Sequence, residues 1–427
     1  ITLIETPKDR KIQLTEKQIF ERVQAFQKPE LPEFDDRTKE LAKFGSKLFR
    51  HPLMACDKCH DPGSGRQHPL QLPLVDLDAK PFFYRDGRAP DLKTAVRKMM
   101  LETVGLSRVE LVDFVKMKYP RTYQKLFGRI PSSLRSRLPD NAWKYQPPIE
   151  VPTHVAAAAL ETLGDSEALM RMVNTAVDTR TPPIRLLLER TELPPVKSRS
   201  IFQLAAYDHL PTGTKIAIDQ LVDNIALSVA AYLRGLRSGP SRFDRFVERA
   251  VAENSIRPAV PTIFSEQELR GFYVFDHVAQ CSRCHSSGQF TDFHFRNIGL
   301  PGHDNKVRLG RALGKVIANR ECAERRDLCE QTAPIVKKDL GAFMTPSLRF
   351  LEPPPSLFFH DSRALDFSQI IAFYNDLDAV PEVGLRSSLL SPLQLFPKEQ
   401  ADLIAFLQTL KSPLIDLNQP QISSRSP

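Results

Sequence analysis

Two pentapeptides decide the fold: Cys56-Asp57-Lys58-Cys59-His60 and Cys281-Ser282-Arg283-Cys284-His285. Both have the spacing C-x-x-C-H. The chain has only six cysteines and ten histidines among 427 residues, so two accidental matches are not expected. In this motif the two thiols attach one haem covalently, and the histidine is the proximal ligand of the iron. The two motifs therefore predict two covalently attached haem c groups.

Two other interpretations of the motifs fit less well. A zinc knuckle needs further Cys or His ligands nearby, but only His68 follows the first motif closely and only His294 follows the second. A thioredoxin-type redox pair needs a strand–helix–strand context, which neither motif has.

The remaining cysteines, Cys322 and Cys329, lie seven positions apart and neither is followed by His. We expect a local disulfide between them, with two free buried thiols as the alternative. Covalent haem attachment and a disulfide both indicate a location outside the cytoplasm, in a bacterial periplasm or on the cell surface.

The composition is that of a soluble globular protein with two or three domains. Hydrophobic residues make up 41% and charged residues 26% of the chain. The formal charge is +8, but acids and bases are interspersed, so nucleic acid is not an expected partner. No run of about 18 apolar residues exists, so we expect no membrane span. The first residues lack a basic-then-apolar leader, so we expect any export signal to have been removed.

Helical periodicity dominates the pattern, and period-two alternation is scarce, so the predicted fold class is mostly α. The sequence Ser265-Glu266-Gln267-Glu268 is a capping box that opens a helix through Phe275. The other predicted helices cover residues 15–27, 36–49, 151–163, 219–235, 366–376 and 397–410.

The chain also repeats itself. A Gly-containing helix end precedes each haem motif, at Gly45 and at Gly271. Downstream, the segment 82–89 with Asp86 and Arg88 resembles the segment 358–364 with Asp361 and Arg363. Each half thus contains a helix, a C-x-x-C-H motif, aromatic residues with Asp-x-Arg-Ala, and another helix. This predicts two cytochrome c-like haem domains related by internal duplication.

With these motifs, the chain resembles the bacterial di-haem cytochrome c peroxidase superfamily, and its MauG-like branch in particular. The most specific stretches are 289–301 and 339–349. The matching stretches cover somewhat over a third of the chain and are 41–62, 82–89, 222–249, 265–301, 339–374 and 393–410. We therefore expect an N-terminal extension at 1–35, a first haem domain at 36–255, a second at 256–415 and a tail at 416–427. A helical or irregular insertion, which does not align, is expected at about 130–218.

The resemblance implies that the first haem, on Cys56, Cys59 and His60, reacts with peroxide. The second haem, on Cys281, Cys284 and His285, would relay electrons to it. In MauG-like proteins a Tyr ligates the second iron from the helix after the Asp-x-Arg motif, and here that position is Tyr374. The alternative is a core tyrosine. The resemblance also assigns the motif arginines, Arg88 and Arg363, to haem binding.

Three other side chains are candidate iron ligands. Met344 falls where the family usually has a basic residue, so packing is the expected role. His68 lies closer to its motif than the distal His of some family members. The spacing between the two Asp-x-Arg motifs, which we call the duplication offset, aligns Tyr374 with Met99. If the halves share one fold, Met99 faces the first haem opposite His60, either as a ligand or as packing.

The departures from the family bear on catalysis. The family's Trp is replaced by Arg85, its Gln by Ala95, and its Glu falls near Thr103. Glu102 is adjacent and is the candidate catalytic acid–base group, because peroxide cleavage needs a carboxylate that moves a proton between the two oxygens. A tryptophan often found just before the second haem motif is replaced by the stretch 278–280.

The family's interdomain calcium ligands, an Asn and a Thr, are also not found at their expected places. The resemblance therefore gives no support for calcium.

Three functions follow as hypotheses. The first is a peroxide-dependent di-haem oxidoreductase that takes electrons from a redox protein or from a protein substrate. The second is an electron carrier in which both irons are six-coordinate, and the third is a structural or sensing cytochrome. The spin state of each ferric haem separates an open catalytic iron from a closed one.

Overall fold

The chain is described by a computed structural model, which covers residues 14–58, 60, 74–104, 106–135, 210–302, 308–324, 334–349, 358–361 and 363–418. The described ranges contain eleven α-helices and four short strands, so the mostly α class is confirmed. The helices are α1 (Glu16–Gln24), α2 (Asp36–Phe49), α3 (Leu92–Lys98), α4 (Arg108–Lys118), α5 (Pro120–Phe127), α6 (Thr212–Arg234), α7 (Arg242–Glu253), α8 (Glu266–Tyr273), α9 (Arg311–Glu324), α10 (Phe367–Asp376) and α11 (Pro397–Gln408).

The strands form two antiparallel pairs. Strand β1 (Leu236–Ser238) pairs with β4 (Leu414–Asp416), and β2 (Phe295–Arg296) pairs with β3 (Phe343–Met344). Both pairs join segments that are distant in sequence, so the strands connect the helical layers rather than form a core of their own.

Local signals set several helix ends as predicted. The predicted helix at 36–49 has the same bounds in the structure. The Ser265 hydroxyl accepts from the Glu268 N–H at 3.2 Å, and the Glu268 carboxylate accepts from the Ser265 N–H at 2.8 Å, which completes the capping box of α8. α8 ends at Tyr273 and continues as a π-helical turn, Val274–Val278. The predicted helix at 151–163 lies outside the described residues.

The helix that precedes each C-x-x-C-H motif crosses a later helix at very short distance. A Cβ atom at Gly45 of α2 would overlap the carbonyl of Ser228 on α6. Likewise, a Cβ at Gly271 of α8 would overlap the carbonyl of Asp402 on α11. In both places only glycine lets the backbones approach so closely. Each haem motif therefore follows a helix that is fixed against a second, later helix.

The buried apolar side chains form two large clusters. The first cluster is built mainly from α2, α3, α4 and α6. The second cluster draws on α7, α8, α10 and α11 and on the N-terminal helix α1, which contributes Ile19 and Val23. Its centre is aromatic, with the rings of Phe243, Phe272 and Phe406 at 5.4–5.6 Å from one another.

Among the described helices, α6 alone is long and apolar enough to cross a membrane by length and composition. The most apolar window of this helix has a mean hydropathy of 1.4, and 61% of it is buried within the protein. A buried core helix passes the same test, so this is weak evidence for a membrane span.

Candidate haem sites

The second C-x-x-C-H motif forms a tight turn. Cys281–Arg283 is one turn of 3-10 helix, entered through Gln280 at a φ of 51°. The His285 N–H donates to the Cys281 carbonyl at 2.8 Å. Cys281 and Cys284 are free thiols, and burial raises the pKa of Cys281 to about 12. The turn thus brings two neutral sulfur atoms and one imidazole together, which is the donor set that a covalent haem requires.

The His285 ring is oriented by the backbone. Its Nδ1 atom lies 3.0 Å from the Phe290 carbonyl oxygen. A carbonyl can only accept, so Nδ1 carries the hydrogen and Nε2 keeps its lone pair. Burial lowers the pKa of His285, which favours the neutral imidazole that binds metals. A backbone carbonyl on the far ring nitrogen is the usual partner that orients a metal-bound histidine.

Tyr374 lies on α10, near the second motif. Burial raises the pKa of Tyr374, and negative charge on the Cys281 and Cys284 sulfur atoms would raise it further, so the phenol lies within electrostatic range of both. A phenolate at this place needs a nearby positive charge, which a ferric iron supplies. The residues at the second site therefore fit a haem with His285 and Tyr374 on its iron, and that ligation stays a prediction.

The first motif has the same local geometry where it is described. Cys56–Lys58 is a turn of 3-10 helix, entered through Ala55 at a φ of 49°. The His60 N–H donates to the Cys56 carbonyl at 2.8 Å, as at the second motif. Cys59 lies outside the described residues.

The segments after the motifs also match each other, position by position. An isolated antiparallel bridge joins Phe83 to Ala89, and another joins Phe358 to Ala364. The residue after each first bridge position has a positive φ, 64° at Tyr84 and 65° at Phe359. The helices that follow are both capped by an aspartate, Asp91 for α3 and Asp366 for α10. All these pairs are separated by the same duplication offset, and the internal duplication itself stays a prediction.

The two motif arginines pair with the aspartate two positions before them. The Arg88 Nε atom lies 3.0 Å from the Asp86 carboxylate, and its guanidinium lies over the Tyr84 ring. The Arg363 guanidinium donates to Asp361 and to the Pro301 carbonyl at 2.6 Å. Both arginines therefore shape their own loops, and their contact with haem stays a prediction.

Met99 and Glu102 lie in one π-helical turn, Met99–Thr103, that continues α3. Met99 is partly exposed, whereas the adjacent Met100 is buried in the first cluster at 1% exposure. Met99 is thus not part of the buried core, and its ligation of the first iron stays a prediction. The Glu102 side chain lies outside the described part of the chain.

Of the other candidates, Met344 lies in strand β3, where its N–H donates to the Arg85 carbonyl at 2.9 Å. His68 and Cys329 lie outside the described residues, as does the side chain of Cys322. Among the residues that are described, no group of three or more His, Cys, Asp or Glu side chains could hold a metal ion.

The structure explains why the two specific stretches carry the side chains they do. The Asn297 amide donates to the carbonyls of Leu340 at 3.0 Å and Val383 at 2.6 Å, and so ties three loops together. Arg349 forms a bidentate pair with Asp244 on α7, with both N–O distances at 2.8 Å. The sequence marked these stretches but could not supply their partners, which lie 43 to 105 residues away.

Several known proteins are similar to this chain in sequence. No family model matches it. Over 259 residues the chain is 29% identical to the methylamine utilization protein MauG of Methylorubrum extorquens, which covers 60% of this chain and 61% of that protein. Over 203 residues it is 27% identical to the cytochrome-c peroxidase IdrP1 of Denitromonas iodatirespirans, which covers 44% and 50%. By these matches the chain is similar to proteins of the MauG-like di-haem peroxidase superfamily.

A solved structure of a MauG-like protein associated with microbial copper homeostasis is also similar, with a TM-score of 0.44 and 16% identity over 90% of this chain and 93% of that one. The chain spans about three fifths of the MauG relative and half of the peroxidase relative. The similarity to MauG and to cytochrome-c peroxidases agrees with the two C-x-x-C-H turns, which are the motifs of haem c attachment.

Proposed function

We propose that this protein is a peroxide-dependent di-haem oxidoreductase. The observation that carries the proposal is the pair of C-x-x-C-H turns with matching geometry, of which the second has an oriented His285 and a nearby Tyr374. When bound, the haem pair would supply irons that give two electrons to peroxide. The MauG and peroxidase names of its relatives support the same reaction class.

The two haem units are, in this proposal, copies of one ancestral unit. The matching bridges, positive φ values and aspartate caps at one constant duplication offset support this origin. The unaligned stretch at about 130–218 would be an insertion in the first unit. The packing of α7 in the second cluster favours a boundary near residue 240, ahead of the 255 expected from the sequence.

Each residue has a defined part in the reaction. His60 and His285 would each hold one haem through its iron, and the Phe290 carbonyl orients the His285 ring. Tyr374 would be a further ligand at the second haem, so peroxide would react at the first. Reduction of one peroxide to two waters consumes two electrons and two protons. Glu102 would move a proton from the near to the far peroxide oxygen.

The electrons would come from a redox protein or from a side chain of a protein substrate, and the reaction would take place in a bacterial periplasm or at the cell surface. Covalent haem attachment and the relatives' class support both statements.

The deciding experiment is electron paramagnetic resonance on the oxidised protein with both haems loaded. One high-spin and one low-spin ferric signal, together with consumption of peroxide, would support the oxidoreductase. Two low-spin signals without peroxide consumption would contradict it.

Replacing Tyr374 with Phe should change the spectrum of the second haem and raise its reduction potential, because an anionic oxygen ligand favours ferric iron. The measurement is a spectroelectrochemical titration of the variant and the parent. Tyr232→Phe is the matched control, since Tyr232 lies in the first cluster and bonds Arg50 at 2.9 Å. A second haem that is unchanged in Tyr374→Phe would show that this tyrosine is not a ligand.

The alternative function is an electron carrier, and the position of Met99 favours it. Met99 corresponds to Tyr374 at the duplication offset and is not buried in the core. A thioether ligand at this place would close the first iron and raise its potential.

Under the carrier hypothesis, Met99→Ala should convert the first haem from low-spin to high-spin and speed its binding of cyanide. Met100→Ala is the control, because it removes the adjacent thioether, which is buried in the core. This variant should lower the free energy of unfolding by about 2–5 kcal/mol without a change of spin state. A parent protein whose first haem is already high-spin and binds cyanide rapidly would refute ligation by Met99.

A further inference from the structure

Arg85 joins the two Asp-x-Arg segments. It directly precedes Asp86, yet its Nη1 atom donates to the Phe359 carbonyl at 3.3 Å and to the His360 carbonyl, both far along the chain. Its own carbonyl accepts from the Met344 N–H at 2.9 Å. Arg85 and His360 also correspond to each other at the duplication offset, so equivalent positions of the two halves meet here.

The segment that Arg85 holds lies against Tyr374. Phe359 has a φ of 65°, a conformation that a non-glycine residue keeps only when its surroundings impose it. The Phe359 ring centre lies 6.2 Å from that of Tyr374 and 5.1 Å from that of Phe373, both on α10. The backbone conformation of Phe359 thus places its ring against α10, beside the Tyr374 ring.

His360 accommodates the arginine beside it because its ring is neutral. The ring stacks on Phe343 with centres 3.8 Å apart, and burial lowers the pKa of His360 to about 3. Asp361 opposes this shift, while Arg85, Arg308 and Arg363 add to it. A neutral ring avoids like-charge repulsion with the guanidinium that its own carbonyl binds.

A second contact joins the halves, with the donor in the second half and the acceptors in the first. Arg311 of α9 donates to the carbonyls of Asp86 at 3.2 Å and Gly87 at 2.7 Å, and its guanidinium lies 4.3 Å from the centre of the Phe295 ring. The contacts of Arg311 do not involve the Arg85 side chain, so they remain to join the halves when that side chain is removed.

We propose that Arg85, a residue of the first half, is a positioning residue for the second haem. Its two hydrogen bonds fix the Phe359–His360 carbonyls, and the fixed Phe359 ring in turn holds the Tyr374 side chain in place. This rests on the proposed function, in which Tyr374 is the distal ligand of the second iron.

The sign of the potential change tests the proposal. In Arg85→Gln the tyrosine is held less firmly, which favours ferrous iron, so the midpoint potential of the second haem should rise. Loss of a nearby positive charge by itself would lower it. We expect the ferrous-to-ferric ratio at a fixed potential to rise about tenfold, which equals about 59 mV for a one-electron couple. The first haem should be unchanged.

Two further variants serve as controls for Arg85→Gln. Arg108→Gln removes the same charge from the same half, where Arg108 pairs with Asp219 on α6 at 3.0 Å, and should leave the second haem unchanged. Arg85→Lys keeps the charge, but one ammonium cannot match the fork of donors on a guanidinium, so its midpoint should rise by less. If Arg85→Gln does not fold, the sign of the shift in Arg85→Lys decides.

The combined results distinguish the role of Arg85 from the proposed function on which it rests. If Tyr374→Phe alters the second haem but the midpoint in the Arg85 variants falls or stays the same, the role of Arg85 is overturned and the ligand assignment stands. If Tyr374→Phe leaves the second haem unaltered, both are overturned. A rise in Arg85→Gln and a smaller rise in Arg85→Lys, with no change in Arg108→Gln, supports the proposal.

Discussion

Replacing Arg349 with Met should lower the free energy of unfolding by about 3–5 kcal/mol, the usual cost of leaving one member of a buried ion pair unpaired. The side chains of Arg349 and Asp244 are each only 2% exposed, and the pair connects the stretch 339–349 to α7. The measurement is the urea dependence of unfolding, followed by circular dichroism on the haem-loaded protein.

Two controls define that result. Arg249→Met removes an exposed pair with Glu253 on the same α7, and should change stability by about 0.5 kcal/mol or less. The double variant Arg349→Met with Asp244→Asn removes both charges, keeps an acceptor for the buried Ser241 N–H, and should recover part of the loss. Equal stability of Arg349→Met and the parent would show that the pair contributes nothing.

The same pair predicts a dependence on pH. Burial alone would raise the pKa of Asp244, but the hydrogen bonds from Arg349 and Ser241 outweigh burial and hold it below the ordinary range. The contribution of a carboxylate with a lowered pKa is complete above its unfolded value, about 3.9, and is lost as the pH falls through the folded value. Without Arg349, burial shifts the pKa of Asp244 upward, so the stability difference between the parent and Arg349→Met should be largest above that raised pKa and should shrink as the pH falls through it.

Replacing Glu102 with Gln should slow the reaction with peroxide by about 10²-fold or more, the usual contribution of general acid–base catalysis. Glu102 lies one turn beyond α3, next to the position where the family's catalytic glutamate falls. The measurement is the stopped-flow rate of peroxide reaction in the oxidised protein.

Glu110→Gln is the matched control for that variant. Glu110 accepts from the Ser107 N–H at 2.9 Å in the capping box of α4, and glutamine can replace it there. This variant loses the same charge on the next helix and should react at the parental rate. Equal rates for Glu102→Gln and the parent would remove Glu102 from the catalytic assignment.

What the sequence predicted correctly is mostly local. The helix at 36–49 and the capping box at Ser265 depend on residues within a turn of one another, and the structure has both. The C-x-x-C-H motif is also local, because the three residues that would bind haem lie within five consecutive positions.

What the sequence could not supply are the long-range partners. No pattern indicates that the Phe290 carbonyl orients His285, since any residue offers the same carbonyl group. The sequence shows only that Arg85 stands where the family has a tryptophan. It does not show what Arg85 binds, because its acceptors are backbone atoms in the other half of the chain. Amphipathic helices likewise show which face is buried but not what buries it, so the packing of α1 in the second cluster was not predictable.

The crossed ends of the chain have a consequence for how it folds. Helix α1 must wait for α7, which lies beyond the whole first cluster in sequence, before its apolar face is buried. Strand β1 must wait for β4, near the last described residues, before it is paired. Such high contact order slows folding and prevents one half from being completed while the other is still being made. Helix α1 and strand β1 would then stay unpartnered until the segments that cover them have been made.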